Sequence, residues 1–250
     1  MAAPTTGRLL LVFDFDHSLI DENSDTYICK LAPGGTLPDE IKELYKEDGW
    51  TEYMAEIFKF LHSNGCTKET LISCLSEIPL TEGMKELLSY TKATENCDHI
   101  IISDANSVFI EHILKHHDIF NVIDQVFTNP AQFNQDDCLE LQPYHFQDWC
   151  TLSTKNLCKG HILKTFLTDQ TDRGVFYRHI IYVGDGHNDL CPGLVLRPED
   201  IFMPRLGFTL IKLIEKIRKK NKPVKLSELQ ASIVPWQTGL DILAHIKALE

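Results

Sequence analysis

The sequence predicts an α/β fold: a Rossmann-like parallel sheet with helices on both faces and a small helical cap inserted after the first strand. Three observations predict it. Short apolar runs recur at Leu9 to Phe13, Ile100 to Ile102, Val122 to Phe127 and Ile180 to Val183, with Ile233 and Val234 as a last strand. Continuous apolar runs bounded by polar residues suit strands buried on both faces of a parallel sheet. Helical periodicity follows them, as Phe109, Ile110, Ile113 and Leu114 after one run and as Ile162, Leu163, Phe166 and Leu167 ahead of another, which supplies amphipathic crossovers. The third observation is the stretch from Asp21 to Ile78, which holds no strand pattern. There Trp50, Tyr53, Met54, Ile57, Phe58 and Leu61 fit one helical face, Pro38 precedes a helix and Pro79 ends the segment. The expected organisation is therefore a core over 1–20 and 79–250 with a cap over 21–78. The polar, irregular stretch from Asn134 to Thr154 reads as loop.

Composition narrows the partners. A chain of 250 residues, 43% apolar, can bury a substantial core. Its formal charge of -12 argues against nucleic acid and anionic membrane, which are bound by clustered Lys and Arg. An acidic protein that handles phosphate must neutralise it locally, and a bound cation would do so. The polar start from Met1 to Gly7 has no basic leader, and the apolar run after it is too short to span a bilayer, so a cytoplasmic protein is expected. The basic stretch Arg218, Lys219, Lys220, Lys222 and Lys225 reads as the solvated end of a helix. Nothing indicates a protein partner. Eight scattered cysteines without a CxxC pair read as reduced thiols. A zinc set of Cys150, Cys158 and His145 is weak by spacing, and none is assigned.

Chemistry concentrates where strands end. The first strand runs into Asp14, Phe15, Asp16, His17 and Ser18, and ligands of open parallel sheets bind beyond the carboxyl ends of the strands. Two carboxylates so close repel unless a cation lies between them. Ser103 ends the second run and is expected to open a helix, offering its hydroxyl and the following N–H groups to an anion. Lys159 opens another helix, where a cation opposes the helix dipole, so a functional duty is indicated. Finally Ile180 to Val183 leads into Gly184, Asp185, Gly186, His187, Asn188 and Asp189, a glycine turn with two more acids. Hard oxygen ligands in this number suit Mg2+.

In this order the set DxDx[ST], Ser, Lys and GDGxND resembles the four motifs of the haloacid dehalogenase-like superfamily, from Val12 to Asp189. The resemblance implies a phosphatase with Asp14 as nucleophile and Asp16 as general acid and then base. Ser103 and Lys159 would hold the phosphoryl group. Asp185 would ligate Mg2+ with Asp14 and the main-chain carbonyl of Asp16, and Asp189 would be a further ligand or an acid standing behind them. Asp16 separates phosphatases from the superfamily's pumps, which usually carry threonine there, and from its dehalogenases.

The stretches FDFDHSLIDENSD, IISDANS, FTNPA, KNLCK and YVGDGHNDLCP are similar to the branch of pyridoxal phosphate phosphatase and phosphoethanolamine/phosphocholine phosphatase, with FTNPA and KNLCK leaning to the former. That branch usually carries a further cysteine between the positions of Cys150 and Cys158, and Thr151 to Lys155 has none. Asp25 and Asp104 are acids beyond those phosphoryl transfer needs. A substrate ammonium group would explain both, and so would helix capping. Tyr27, Trp50 and Tyr53 could stack on a ring, though their spacing suits cap packing. The expected substrate is a small phosphomonoester, pyridoxal 5'-phosphate first, then phosphoethanolamine or phosphocholine. Pyrophosphatase, phosphotransferase and non-catalytic phospho-acceptor readings are the alternatives.

Overall fold

The computed structural model describes residues 7–46, 49–94, 96–219 and 229–249. In chain order the strands are β1 Arg8–Phe13, β2 Cys97–Asn106, β3 Gln125–Asn129, β4 Ala131–Phe133, β5 Leu139–Leu141, β6 Tyr177–Gly184, β7 Ile201–Pro204 and β8 Ser232–Ile233. The α-helices are α1 Ser24–Tyr27, α2 Asp39–Lys42, α3 Trp50–Ser63, α4 Lys68–Leu75, α5 Met84–Ala93, α6 Ser107–His116, α7 Lys159–Asp172, α8 Leu190–Gly193, α9 Thr209–Lys219 and α10 Gly239–Lys247. Six strands form one parallel sheet in the order β3-β2-β1-β6-β7-β8.

Strand alternation divides the apolar residues between two layers. Leu11, Phe13, Ile101, Ile181 and Val183 belong to one buried cluster with Met84 and Leu87 of α5, Phe109 and Ile110 of α6 and Ile242 of α10. Leu10, Val12, Ile100, Ile102, Ile180 and Tyr182 belong to the other, with Ile162, Leu163 and Phe166 of α7 and Leu210 and Ile214 of α9. The unbroken apolar runs exist because both faces of every central strand are covered.

Between β1 and β2 the chain is helical. Met54, Ile57, Phe58 and Leu61 of α3 are buried, each contributing on the order of 1.5–3 kcal/mol through apolar burial. The entry and exit of this segment are pinched together by a bridge between Ile20 and Leu80. There Asp21 N–H donates to the Pro79 carbonyl at 2.9 Å and Thr81 N–H to that of Leu19 at 3.1 Å.

Several expectations need correction. The run at Val122 does not begin a strand: Phe120–Val122 is a 3-10 turn, and β3 starts at Gln125. Within the expected loop, Leu139–Leu141 pairs antiparallel with Ala131–Phe133. Burial of Leu139 in the same cluster as Phe58 and Leu61 makes this short hairpin worth forming. β2 runs on past Ser103 to Asn106, and α6 opens at Ser107 with the Asn106 side chain accepting from Phe109 N–H. β7 carried too short a run to be read. The basic stretch reaches the end of α9 at Lys219 and otherwise lies outside the described residues.

Candidate active site

β1 ends in a tied position: Asp14 N–H donates to the Val183 carbonyl of β6 at 2.9 Å, and Asp14 Oδ1 accepts from Phe15 N–H at 2.7 Å. The chain then makes one wide turn over Phe15–Leu19, closed by Ile20 N–H on the Phe15 carbonyl. His17 takes a left-handed φ of 53° in it, a conformation that side chains adopt at a cost and that neighbours must hold. Arg205 does so, donating from Nη1 to the His17 carbonyl at 2.6 Å while Nη2 pairs with Asp21 at 2.5 Å. Within the turn Asp16 Oδ1 accepts from Ser24 N–H at 2.9 Å.

Lys159 is fully buried at the first position of α7. Its Nζ lies 2.8 Å from Asp14 Oδ1 and 2.8 Å from Asp189 Oδ1. Two carboxylates thus offset an unfavourable place in the helix dipole. Asp189 is itself saturated: Oδ1 also accepts from the Tyr182 hydroxyl at 2.7 Å, and Oδ2 from the N–H groups of Asp185 and Gly186 at 3.0 and 2.8 Å. Gly184 is required here because a Cβ would come within 2.5 Å of the Asp189 carboxyl carbon. Asp189 therefore folds the turn that aims Asp185, whose own carboxylate has no such set of donors among the described residues.

Ser103 is fully buried, with Oγ accepting from Ala105 N–H at 3.2 Å. Asp104 accepts from Asn188 Nδ2 at 3.0 Å, which links β2 to the glycine turn. Asn129 donates to the main-chain carbonyls of Asp104 and Ala105 at 2.6 and 3.0 Å, setting the path of β2 beyond Ser103. Neither extra acid caps a helix: Asn23 caps α1 and Asn106 caps α6. Asp25 is buried instead, with Oδ2 accepting from Trp50 Nε1 at 2.8 Å. Among the described residues its Oδ1 and the amide nitrogen of Asn106 make no well-formed hydrogen bond, although the Asn106 side chain is near enough to favour the charged form of Asp25. Trp50 also packs against Tyr45 and Tyr53, whereas Tyr27 stands under Lys30 and donates to Glu77. A cleft of about 470 Å³ separates α3 from the 143–156 loop, lined in part by Tyr53, Phe146 and Asn156. Sequence reading missed Arg205, Tyr182, Asn129 and Asn188. Arg205 carried no signal, whereas Asn188 lies in the glycine turn and Tyr182 and Asn129 lie in the stretches YVGDGHNDLCP and FTNPA.

These acids crowd one another. Burial pushes the Asp14 carboxyl well above its ordinary value, with Asp189 adding to the effect and Lys159 opposing it. Burial likewise raises Asp16 to about 8, with Asp25 contributing, and Asp185 to about 7, with Asp189 contributing. Asp25 rises to about 7 through burial, opposed by the Trp50 N–H. Asp14, Asp185 and Asp189 bring carboxylate oxygens within 4.8 Å of one another, and one lysine cannot neutralise them. Buried hard oxygens in negative excess fit a hard divalent cation.

A family model described as "Putative Phosphatase" matches residues 9–249. The chain is 41% identical over 243 residues to the pyridoxal phosphate phosphatase PHOSPHO2 of Mus musculus, covering 97% of this chain and 98% of that one. It is 36% identical over 251 residues to the phosphoethanolamine/phosphocholine phosphatase of Homo sapiens, covering 99% and 91%. In fold it is similar to an apo phosphoserine phosphatase, with a TM-score of 0.59 at 16% identity over 96% of this chain and 99% of that one. The strand-end acids, the buried lysine and a match along nearly the whole chain lead to one assignment. This chain belongs to the putative phosphatase family and is a phosphatase, in the branch of the pyridoxal phosphate and phosphoethanolamine/phosphocholine phosphatases.

Proposed function

We propose that the protein hydrolyses small phosphomonoesters through a phosphorylated Asp14, with Mg2+ as cofactor and pyridoxal 5'-phosphate as first substrate. The observation that carries this reading is the pairing of a buried Asp14 with Lys159 Nζ at 2.8 Å while Asp16, two residues on, is held apart from that pair by Ser24. One acid is oriented to attack and the other is free to move protons. Asp14 attacks phosphorus, the phosphorus–oxygen ester bond breaks, and Asp16 gives its proton to the leaving alkoxide. Asp16 then takes a proton from water, which attacks the acyl phosphate, releasing inorganic phosphate and restoring Asp14. A raised Asp16 suits both duties near neutral pH. Lys159 and Ser103 hold the phosphoryl oxygens. Mg2+, held by Asp14, Asp185 and the Asp16 carbonyl with Asp189 behind them, would supply charge neutralisation.

The mouse relative's name supports the choice of pyridoxal 5'-phosphate. Asp25 and Asp104 support a cationic group on the substrate, with residues 21–78 covering the site as a cap. Among the described residues no helix is long and apolar enough to cross a membrane, and we place the reaction in the cytoplasm. Phosphoethanolamine and phosphocholine form the second reading, favoured by the buried acid Asp25. Phosphate release from these three compounds and pyrophosphate, with Mg2+ or chelator, tests the assignment. Release that needs Mg2+ and is fastest with pyridoxal 5'-phosphate is expected; equal or faster release with chelator would reject the cofactor.

An Asp25→Asn enzyme keeps the acceptor for Trp50 and loses the charge. KM for phosphoethanolamine is expected to rise about tenfold or more, the worth of a charge-assisted hydrogen bond, while a neutral aryl phosphate is little affected. Equal loss on both substrates would assign Asp25 to cap packing alone.

The raised carboxyls also predict a pH dependence. Asp16, Asp25 and Asp185 have folded values of about 8, 7 and 7, above the ordinary 3.8 of an unfolded carboxyl. Their contribution to stability is present below the unfolded value and is lost as pH rises through 7 to 8. A cation held by Asp14 and Asp185, both raised by burial, competes with the protons there. The rise in Tm produced by saturating Mg2+ is therefore expected to be larger at pH 8 than at pH 6; a pH-independent rise would place the metal elsewhere.

A further inference from the structure

Three cysteines from separate stretches of chain meet behind the active site. Cys150 Sγ lies 3.4 Å from Cys191 Sγ, and Cys158 Sγ lies 3.8 Å from it. All three sulfurs fall within 4.8 Å of one another. We propose that Cys150, Cys158 and Cys191 form a thiolate site for a soft divalent metal, zinc in particular, distinct from the hard-oxygen site of the acids.

The geometry matches the ion. With zinc–sulfur bonds of about 2.3 Å, sulfurs on a tetrahedral ion stand about 3.8 Å apart. Three thiolates select zinc over magnesium, which prefers oxygen. Ser153 Oγ lies 3.6 Å from Cys150 Sγ, and its hydroxyl or a water would complete the fourth position. His145, the nitrogen ligand considered from spacing, is not a member of this cluster; its Nε2 accepts from Cys158 N–H at 2.9 Å. Cys191 takes its place, and sequence distance concealed it.

The loop that presents Cys150 is built rather than loose. Gln147 is buried, and its amide nitrogen donates to the carbonyls of Cys150, Ser153 and Thr154 at 3.0, 3.2 and 2.9 Å. Its Oε1 accepts from Cys150 N–H at 2.8 Å. One buried amide thus ties the loop into a knuckle whose sulfur faces the other two. Gly160 permits the approach on the helix side, since a Cβ there would meet Cys191 Sγ at 2.5 Å.

The position gives the metal a task. Cys158 immediately precedes Lys159, and Cys191 follows two residues after Asp189, the partner of Lys159 at 2.8 Å. An ion on both sulfurs would staple the start of α7 to the glycine turn and hold that ion pair in register. Metal binding releases the protons of those thiols still protonated and forms the metal–sulfur bonds with no change of oxidation state.

The test is metal analysis of the full-length protein purified under reducing conditions, followed by titration of the metal-stripped protein with Co2+ and then Zn2+. About one zinc per chain is expected, with a thiolate-to-cobalt charge-transfer band that zinc abolishes. The band should be absent in Cys150→Ala at unchanged far-ultraviolet circular dichroism and retained in a Cys29→Ala control. A measurement without variants accompanies it: zinc should shield Cys150, Cys158 and Cys191 from alkylation, read by peptide mass spectrometry. Zinc well below one per chain with no cobalt band in the reduced wild type would overturn the proposal. So would a band that survives Cys150→Ala, or equal alkylation of the three thiols with and without zinc. A Cys150–Cys191 disulfide that takes up no metal after reduction would also overturn it.

Discussion

Replacing Asp14 by asparagine is expected to lower kcat for every substrate by about a thousandfold or more, because the nucleophile is removed and no neighbouring group can take its place. Asp16 is the nearest alternative in sequence, but its carboxylate is turned to Ser24. The fold should survive. The amide oxygen of the introduced side chain can still accept from Phe15 N–H, and Lys159 keeps Asp189. Deleting one charge from a set whose burial and mutual repulsion already push Asp14 well above its ordinary value relieves a cost. The metal-free Tm is therefore expected to stay level or rise, and the Mg2+-induced shift to shrink. Calorimetry beside the kinetic assay separates the two effects. A collapse in Tm would mean that lost activity reports unfolding.

Lys159→Met should act on stability and rate together. The ammonium is fully buried between Asp14 and Asp189, and its loss leaves two buried carboxylates without a counter-charge. Breaking such a group costs about 3–5 kcal/mol, which at this chain length lowers Tm by on the order of 10 °C. Loss of the phosphoryl clamp should cut kcat by about a hundredfold or more. Acidic pH should recover part of the stability of the metal-free variant, since the unpaired acids then bind protons, while activity stays low. Lys159→Arg should not restore either, because a bulkier guanidinium must enter a position that is already fully buried. Wild-type stability in Lys159→Met at neutral pH would show that solvent or cation already compensates the acids.

Strand existence was legible where apolar runs were long. β1 and β6 are covered on both faces, so the runs Leu9 to Phe13 and Ile180 to Val183 carry no charged residue to interrupt the signal, and α3 shows its buried face openly. What escaped depends on distant partners. β7 is four residues long and is a strand because β6 and β8 pair with it. The β4–β5 hairpin forms against α3, through Leu139. Ser103 read as the end of β2 because the apolar run stops there, yet Asn129 holds the next residues in line. In the candidate site, the acids and Lys159 announced themselves by sitting at strand and helix ends. Arg205 did not, since its purpose is set by the left-handed turn at His17, far away in sequence. Cys191 was likewise invisible as a partner of Cys150 until the fold brought them together.

The central claim is that Asp14 carries the phosphoryl group, and rapid-quench labelling tests it most directly. The Mg2+-loaded enzyme would be mixed with a 32P-labelled phosphomonoester, quenched in acid within the first turnover, digested and mapped. An acid-stable, hydroxylamine-labile phosphate on Asp14 that forms and decays at rates compatible with kcat is predicted, with slower decay in Asp16→Asn. Phosphate release with no labelled protein at any time, or a label confined to another residue, would contradict the account.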